Sequence, residues 1–177
     1  MKSDPSRALY LPPSSKFRND FPRIFSNGGF GLIVLKNSFF WPIDDWSVPR
    51  DYDDGSWQKA PVPGCWTTER DEWLRYEGAA WYSRSFEAAV PTDGDRLILR
   101  IGAANAQTRV FLNGAFCGLH LGGSTPFFCD ITPYIQPGEN LVMIEVDSPR
   151  RADAVPMHHT DWFNHGGLYR DVELVKV

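Results

Sequence analysis

Residues 158–171 read His-His-Thr-Asp-Trp-Phe-Asn-His-Gly-Gly-Leu-Tyr-Arg-Asp. This run holds three of the chain's four histidines, two aspartates, an asparagine, three aromatic rings and a Gly-Gly pair. The histidines and Asp161 invite a metal. Adjacent side chains on an extended backbone point to opposite faces, so His158 and His159 make a poor pair of ligands. No set of three or four ligands with site-like spacing follows, and neither a metal nor another cofactor is expected. The remaining chemistry is polar and aromatic contact with a ligand, and loops on a rigid scaffold are where binding residues concentrate. Plain architecture stays open as the alternative: a Gly-Gly turn ahead of a strand, with Trp162 or Phe163 plugging the end of a core.

The elements that would position this run are strands. Val172 to Val177 alternates as a last strand. Upstream, Gly31–Leu35, Ala80–Ala88, Arg96–Ile101, Thr108–Leu112, Phe116–Leu121, Pro126–Ile131 and Leu141–Val146 all read as strands. Turn signals separate them, Asn113-Gly114 being the clearest, because both residues tolerate the positive φ of a tight hairpin. Residues 41–66 carry four tryptophans and four prolines with no helical period. They read as a packed loop region with one short strand, Trp57 tucked inward and Pro61–Trp66 forming an extended rim. Residues 1–27, broken by prolines at 5, 12, 13 and 22, read as an arm across the surface rather than an element. The class is all-β, and two antiparallel sheets packed as a jelly-roll sandwich fit best, with a closed barrel as the alternative.

Composition bounds the function. The 177 residues suit a single domain, with residues 28–177 as its body. Aromatic content is 14%, with seven tryptophans, enough to fill a sandwich core and still furnish flat apolar platforms for ligands. The net charge of −4 and the lack of a basic block argue against nucleic acid. No apolar run of membrane-spanning length occurs. Cys65, Cys117 and Cys129 are too widely spaced for a disulfide framework or a metal motif and read as small buried thiols. Residues 1–20 contain no signal-peptide core, so a cytoplasmic location is expected unless the chain is trimmed.

Four stretches, in this order, are more specific than the fold. They are Asp54-Gly55-Ser56-Trp57 with Val62-Pro63-Gly64-Cys65-Trp66; Ala80-Trp81-Tyr82-Ser83-Arg84-Ser85-Phe86; Val110-Phe111-Leu112-Asn113-Gly114 with Gly122–Phe127 and Asp130–Tyr134; and Asp161–Val172. Together they resemble the N-terminal sugar-binding domain, a galactose-binding-domain-like jelly roll, of glycoside hydrolase family 2, closest in look to β-glucuronidases and β-galactosidases. The resemblance covers about residues 27–177. It implies a jelly roll that precedes an immunoglobulin-like domain and a (β/α)₈ barrel, in an enzyme that cleaves β-glycosides with retention. Retention uses two carboxyls about 5–5.5 Å apart. A barrel of about 250 residues cannot fit in this chain. The expectation is therefore a domain fragment with no catalytic residue of its own. Its partners would be a β-glycoside, the remaining domains of the same enzyme and, in the full enzyme, further copies of itself.

The resemblance also assigns roles. Asp161 matches the aspartate that reaches from this domain into the barrel's active site. A carboxylate suits that task because its two acceptor oxygens can take charge-assisted bonds from vicinal hydroxyls; capping its own loop is the alternative. Asn164 would pin the loop or touch the sugar. Trp162 would stack on a sugar face or pack in the core. His165 stands where several relatives have an aromatic residue. Gly166 and Gly167 would give the turn backbone freedom, and Arg170 would make a buried or bridging structural pair. Glu77 lies in a loop that approaches substrate in galactosidase-like members, or it is a solvated loop charge. A stand-alone carbohydrate-binding module and a purely structural domain supporting an oligomer remain alternatives.

Overall fold

The computed structural model describes the backbone of residues 30–35 and, in full, residues 57–92, 94–153, 155, 157 and 161–177. The arm at 1–27, the loop tryptophans Trp41 and Trp46, and His158 and His159 lie outside the described residues. Among the described residues nine strands form: β1 (Phe30–Leu35), β2 (Gln58–Pro61), β3 (Ala79–Ala88), β4 (Leu97–Ile101), β5 (Gln107–Leu112), β6 (Ala115–Leu121), β7 (Phe127–Asp130), β8 (Gly138–Asp147) and β9 (Val172–Lys176). They make a six-stranded sheet in the order β2-β1-β3-β8-β5-β6 and a three-stranded sheet in the order β7-β4-β9. Every strand pairing is antiparallel. The described residues thus form the expected two-sheet sandwich rather than a closed barrel.

Alternation decides which side chains enter the core. Leu97, Leu99 and Ile101 of β4 meet Val142, Ile144 and Val146 of β8 between the sheets, joined by Ala80 and Tyr82, Val110 and Leu112, and Val172 and Leu174. The other face of the large sheet carries a second cluster of Trp57, Trp81, Phe111 and Met143, with Trp81 and Phe111 stacked at 5.7 Å. Trp57 is tucked in as expected. Asn113 takes a φ of +50° in the β5–β6 hairpin, as the Asn-Gly signal requires. β8 begins three residues earlier than its apolar run, because the Asn140 amide bonds Gln136 and Gly138 and fastens the turn onto the strand.

Residues 61–66 differ from the expected extended rim. The chain leaves β2 at Pro61 and coils into a single helical turn, α1 (Trp66–Glu69), followed by a 3₁₀ turn at Asp71–Trp73. The reason is burial: Trp66 is almost wholly enclosed and is among the largest fully buried side chains of the core. Of the thiols, Cys129 is buried, and its pKa is pushed up to about 12 by desolvation; Cys65 and Cys117 are half-buried, and all three are free. Thiols held in that state are packing groups rather than nucleophiles.

Candidate functional site

The 161–171 segment is fixed at its base before it does anything at its tip. Gly64 N–H donates to the Leu168 carbonyl at 2.8 Å and Trp66 N–H to the Gly166 carbonyl at 3.1 Å. Asn105 N–H donates to the Gly167 carbonyl at 3.2 Å, and the two residues form an isolated antiparallel β-bridge. Leu168 is fully buried beneath these bonds. The two glycines are needed for different reasons. Gly167 has φ +141°, a region side chains rarely adopt, and a Cβ there would lie 2.5 Å from the Gly64 carbonyl oxygen. Gly166 is a matter of close approach rather than of backbone freedom: a Cβ would sit 1.9 Å from the Trp66 indole. Beneath the turn lies Tyr82, whose phenol burial pushes well above its ordinary value, although a bond from the Leu168 backbone pulls the other way. Tyr82 therefore stays protonated and is no base.

A polar network holds the next layer. Asn164 is buried, and both ends of its amide are engaged: Nδ2 donates to the Ser148 carbonyl at 2.6 Å, and Oδ1 accepts from Asn105 Nδ2 at 2.9 Å. Asn105 Nδ2 also reaches the His165 carbonyl at 2.9 Å. Ser148 N–H in turn donates to the Gly78 carbonyl at 3.1 Å. Asn164 thus occupies the pinning position and has no amide group left facing solvent for a sugar. Buried amides with every end paired rigidify a site, whereas a half-satisfied set would cost stability.

Above that base the loop is open. Asp161 is exposed, Trp162 is 66% exposed and Phe163 is 62% exposed. Neither ring plugs the core. His165 is exposed, its Nδ1 3.3 Å from Thr67 Oγ1 on α1, and its ring lies over Phe163 at 5.8 Å and 22°. Glu77 is a loop charge open to solvent, and it is paired with Arg150. Its carboxylate takes bonds from Arg150 Nε at 2.9 Å and Arg150 N–H at 3.2 Å, while Arg150 Nη2 donates to the Trp162 carbonyl at 2.9 Å. Arg170, expected in a buried or bridging pair, is exposed. Its Nη1 lies 3.5 Å from the Ser124 carbonyl and its guanidinium 5.9 Å from the Tyr169 ring. Residues 168–171 lie ahead of β9 and are not in a strand, so the inward phase of Val172 and Leu174 does not extend back to Arg170. Tyr169 Oη donates to the Gly123 carbonyl and anchors the same entrance.

The structure therefore brings Asp161, Trp162, Phe163 and His165 to one exposed tip and moves Asn164, Gly166 and Gly167 beneath it. Among the described residues no group of three or more His, Cys, Asp or Glu lies together as a metal cage. Three residues of the base were missed from sequence: Asn105, Ser148 and Arg150. Asn105 carries a faint signal, an amide closing the small apolar run Ile101-Gly102-Ala103-Ala104. Arg150 carries none, since its partners are 73 and 12 residues away. The tip offers a carboxylate beside large aromatic faces. Such a set recognises a ligand with vicinal hydroxyls and an apolar C–H face.

Comparison with known proteins agrees with that chemistry. Residues 44–177 match the family model described as "Glycosyl hydrolases family 2, sugar binding domain". A β-galactosidase of Thermoanaerobacter pseudethanolicus is 32% identical over 130 residues, covering 70% of this chain and 18% of that protein. A β-glucuronidase of Paenibacillus borealis is 32% identical over 138 residues, covering 66% of this chain and 23% of that protein. Among solved structures, Bifidobacterium dentium β-glucuronidase complexed with coumarin-3-O-glucuronide superposes with a TM-score of 0.73 at 26% identity, over 90% of this chain and 30% of that one. The chain thus spans about a fifth of the length of these curated relatives. With its two-sheet sandwich and its match to the family model over three-quarters of its length, the chain belongs to glycosyl hydrolase family 2 and carries that family's sugar-binding domain.

Proposed function

We propose that this chain is the N-terminal sugar-binding domain of a retaining β-glycosidase of β-glucuronidase or β-galactosidase type. In this reading it builds one wall of a pocket whose two catalytic carboxyls stand on a barrel elsewhere in the enzyme. The observation that carries it is the exposed Asp161 carboxylate, beside Trp162 and Phe163, on a loop whose base is locked by buried hydrogen bonds. The named relatives, a β-galactosidase and β-glucuronidases several times longer than the matched region, support the same assignment.

The chemistry assigned to Asp161 is binding, not bond breaking. Its oxygens would accept hydrogen bonds from two sugar hydroxyls and hold the ring while the barrel's acid protonates the leaving oxygen and its nucleophile attacks. Hydrogen bonds to a charged group are worth about 1.5–3 kcal/mol, or roughly ten- to a hundredfold in rate. In the full-length enzyme, Asp161→Asn should lower kcat/KM toward a nitrophenyl β-glycoside by that factor and leave the melting temperature unchanged. An unchanged kcat/KM would refute the role. Calorimetric binding of a free glucuronide or galactoside by the 177-residue chain alone would instead mark it as a self-sufficient binding module.

A further inference from the structure

Three segments meet at one side chain. Arg150 follows β8 in the chain, Glu77 sits in the turn before β3, and Trp162 is in the exposed loop. Both oxygens of Glu77 are used on Arg150, one on its backbone N–H at 3.2 Å and one on its Nε at 2.9 Å. The Nε bond orients the guanidinium, while the bond to the backbone N–H ties Glu77 to the main chain of the same residue. The guanidinium Nη2 then donates to the Trp162 carbonyl at 2.9 Å, one residue from Asp161. Two residues upstream, Ser148 is tied to Gly78 at 3.1 Å and to Asn164 at 2.6 Å, so the backbone carrying Arg150 is held as well.

Magnitude decides what this arrangement is for. The Arg150 and Glu77 side chains are 26% and 38% exposed, and ion pairs so open to solvent add little to global stability. Geometry is another matter. A planar group with donors on two edges can join a carboxylate to a carbonyl in a fixed relation, which a lysine ammonium cannot do. Displacing a binding group by about 1 Å can cost on the order of a hundredfold in rate.

We propose that Arg150 is a positioning residue for Asp161, and that Glu77 orients it rather than touching the sugar. This rests on the reading that Asp161 contacts the substrate. The Glu77–Arg150 pair stands behind the loop as a brace. It holds the Trp162 carbonyl and with it the direction in which the Asp161 carboxylate leaves the backbone. A change at Arg150 therefore reaches the substrate only through residues 161–162.

A double-mutant cycle on the full-length enzyme tests this. Arg150→Gln should lower kcat/KM for a nitrophenyl β-glycoside roughly tenfold or more, and Asp161→Asn should do likewise. The double variant should be no worse than Asp161→Asn alone, because the brace has nothing left to aim. A double variant whose loss is the product of the two single losses would overturn the proposal, since Arg150 would then act independently. Asp161→Asn impaired with Arg150→Gln at wild-type activity would sink this inference alone. Asp161→Asn at wild-type activity would sink the substrate reading beneath it. Should Arg150→Gln fail to fold, Arg150→Lys keeps the charge and cannot span both partners. In the 177-residue chain, Arg150→Lys should move the backbone amide resonances of residues 161–165 and leave those of β3 and β8 in place. Unmoved loop resonances would contradict the proposal.

Discussion

Asn164 separates holding the loop from touching the ligand. Its side chain is enclosed, with Ser148 on one side and Asn105 on the other. Asn164→Ala removes both bonds, taking the Nδ2 donor from the buried Ser148 carbonyl and leaving Asn105 Nδ2 only the His165 carbonyl and the more distant Ser148 Oγ. A buried polar group stranded in this way costs about 1–3 kcal/mol, so the variant should lose roughly 2 kcal/mol in urea unfolding. Intact stability with a raised KM would show instead that Asn164 faces the sugar. The types of residue in this run were legible from sequence, and so was the need for glycine at 166–167. The division of labour was not. Whether an asparagine faces in or out depends here on Asn105, 59 residues away. The reason for Gly166 is likewise the Trp66 indole, which sequence placed on a rim.

Strands β3 to β9 followed from alternation and turn residues, because half-buried antiparallel strands write their two faces into every second residue. The turn at Trp66–Glu69 did not, since four residues are too few to show a helical period. Alternation also said little about how the outer face of the large sheet is occupied. Glu145 of β8 is buried there between Trp81 of β3 and Arg109 of β5, with Arg109 Nη1 at 2.7 Å. Burial raises its carboxyl above the ordinary 4.5, against the pull of Arg109. Asp147, two residues on, is raised for the same reason, with Arg151 and Arg109 opposing. An acid whose pKa is higher folded than unfolded binds its proton more tightly in the fold. Stability is therefore greatest at low pH and falls as pH rises from the unfolded value through the raised one. Glu145→Gln keeps an acceptor for Arg109 and removes that step. Unfolding free energies of wild type and variant between roughly pH 4 and pH 7 should show the wild type losing ground as pH rises. A difference that is flat or grows with pH would contradict this burial-driven shift.

Together the described residues form a sandwich with one chemically loaded edge. The sheets bury a large apolar cluster, and the strap from Asn105 through Asn164 to Ser148 ties the loop down beside it. What the loop then presents is one carboxylate and two aromatic faces, a set able to bind a sugar but lacking the paired carboxyls of glycoside hydrolysis. The family resemblance was readable because four motifs recur in register; the brace behind Asp161 was not, because Glu77, Arg150 and Trp162 share no local pattern. The most direct test is a crystal structure of the full-length enzyme with a non-hydrolysed β-glycoside bound. The Asp161 carboxylate should lie within hydrogen-bonding reach, about 2.5–3.0 Å, of two adjacent sugar hydroxyls, with Arg150 still on the Trp162 carbonyl. A sugar bound in the barrel with Asp161 turned to solvent, and no residue of 161–165 in contact with it, would contradict that prediction.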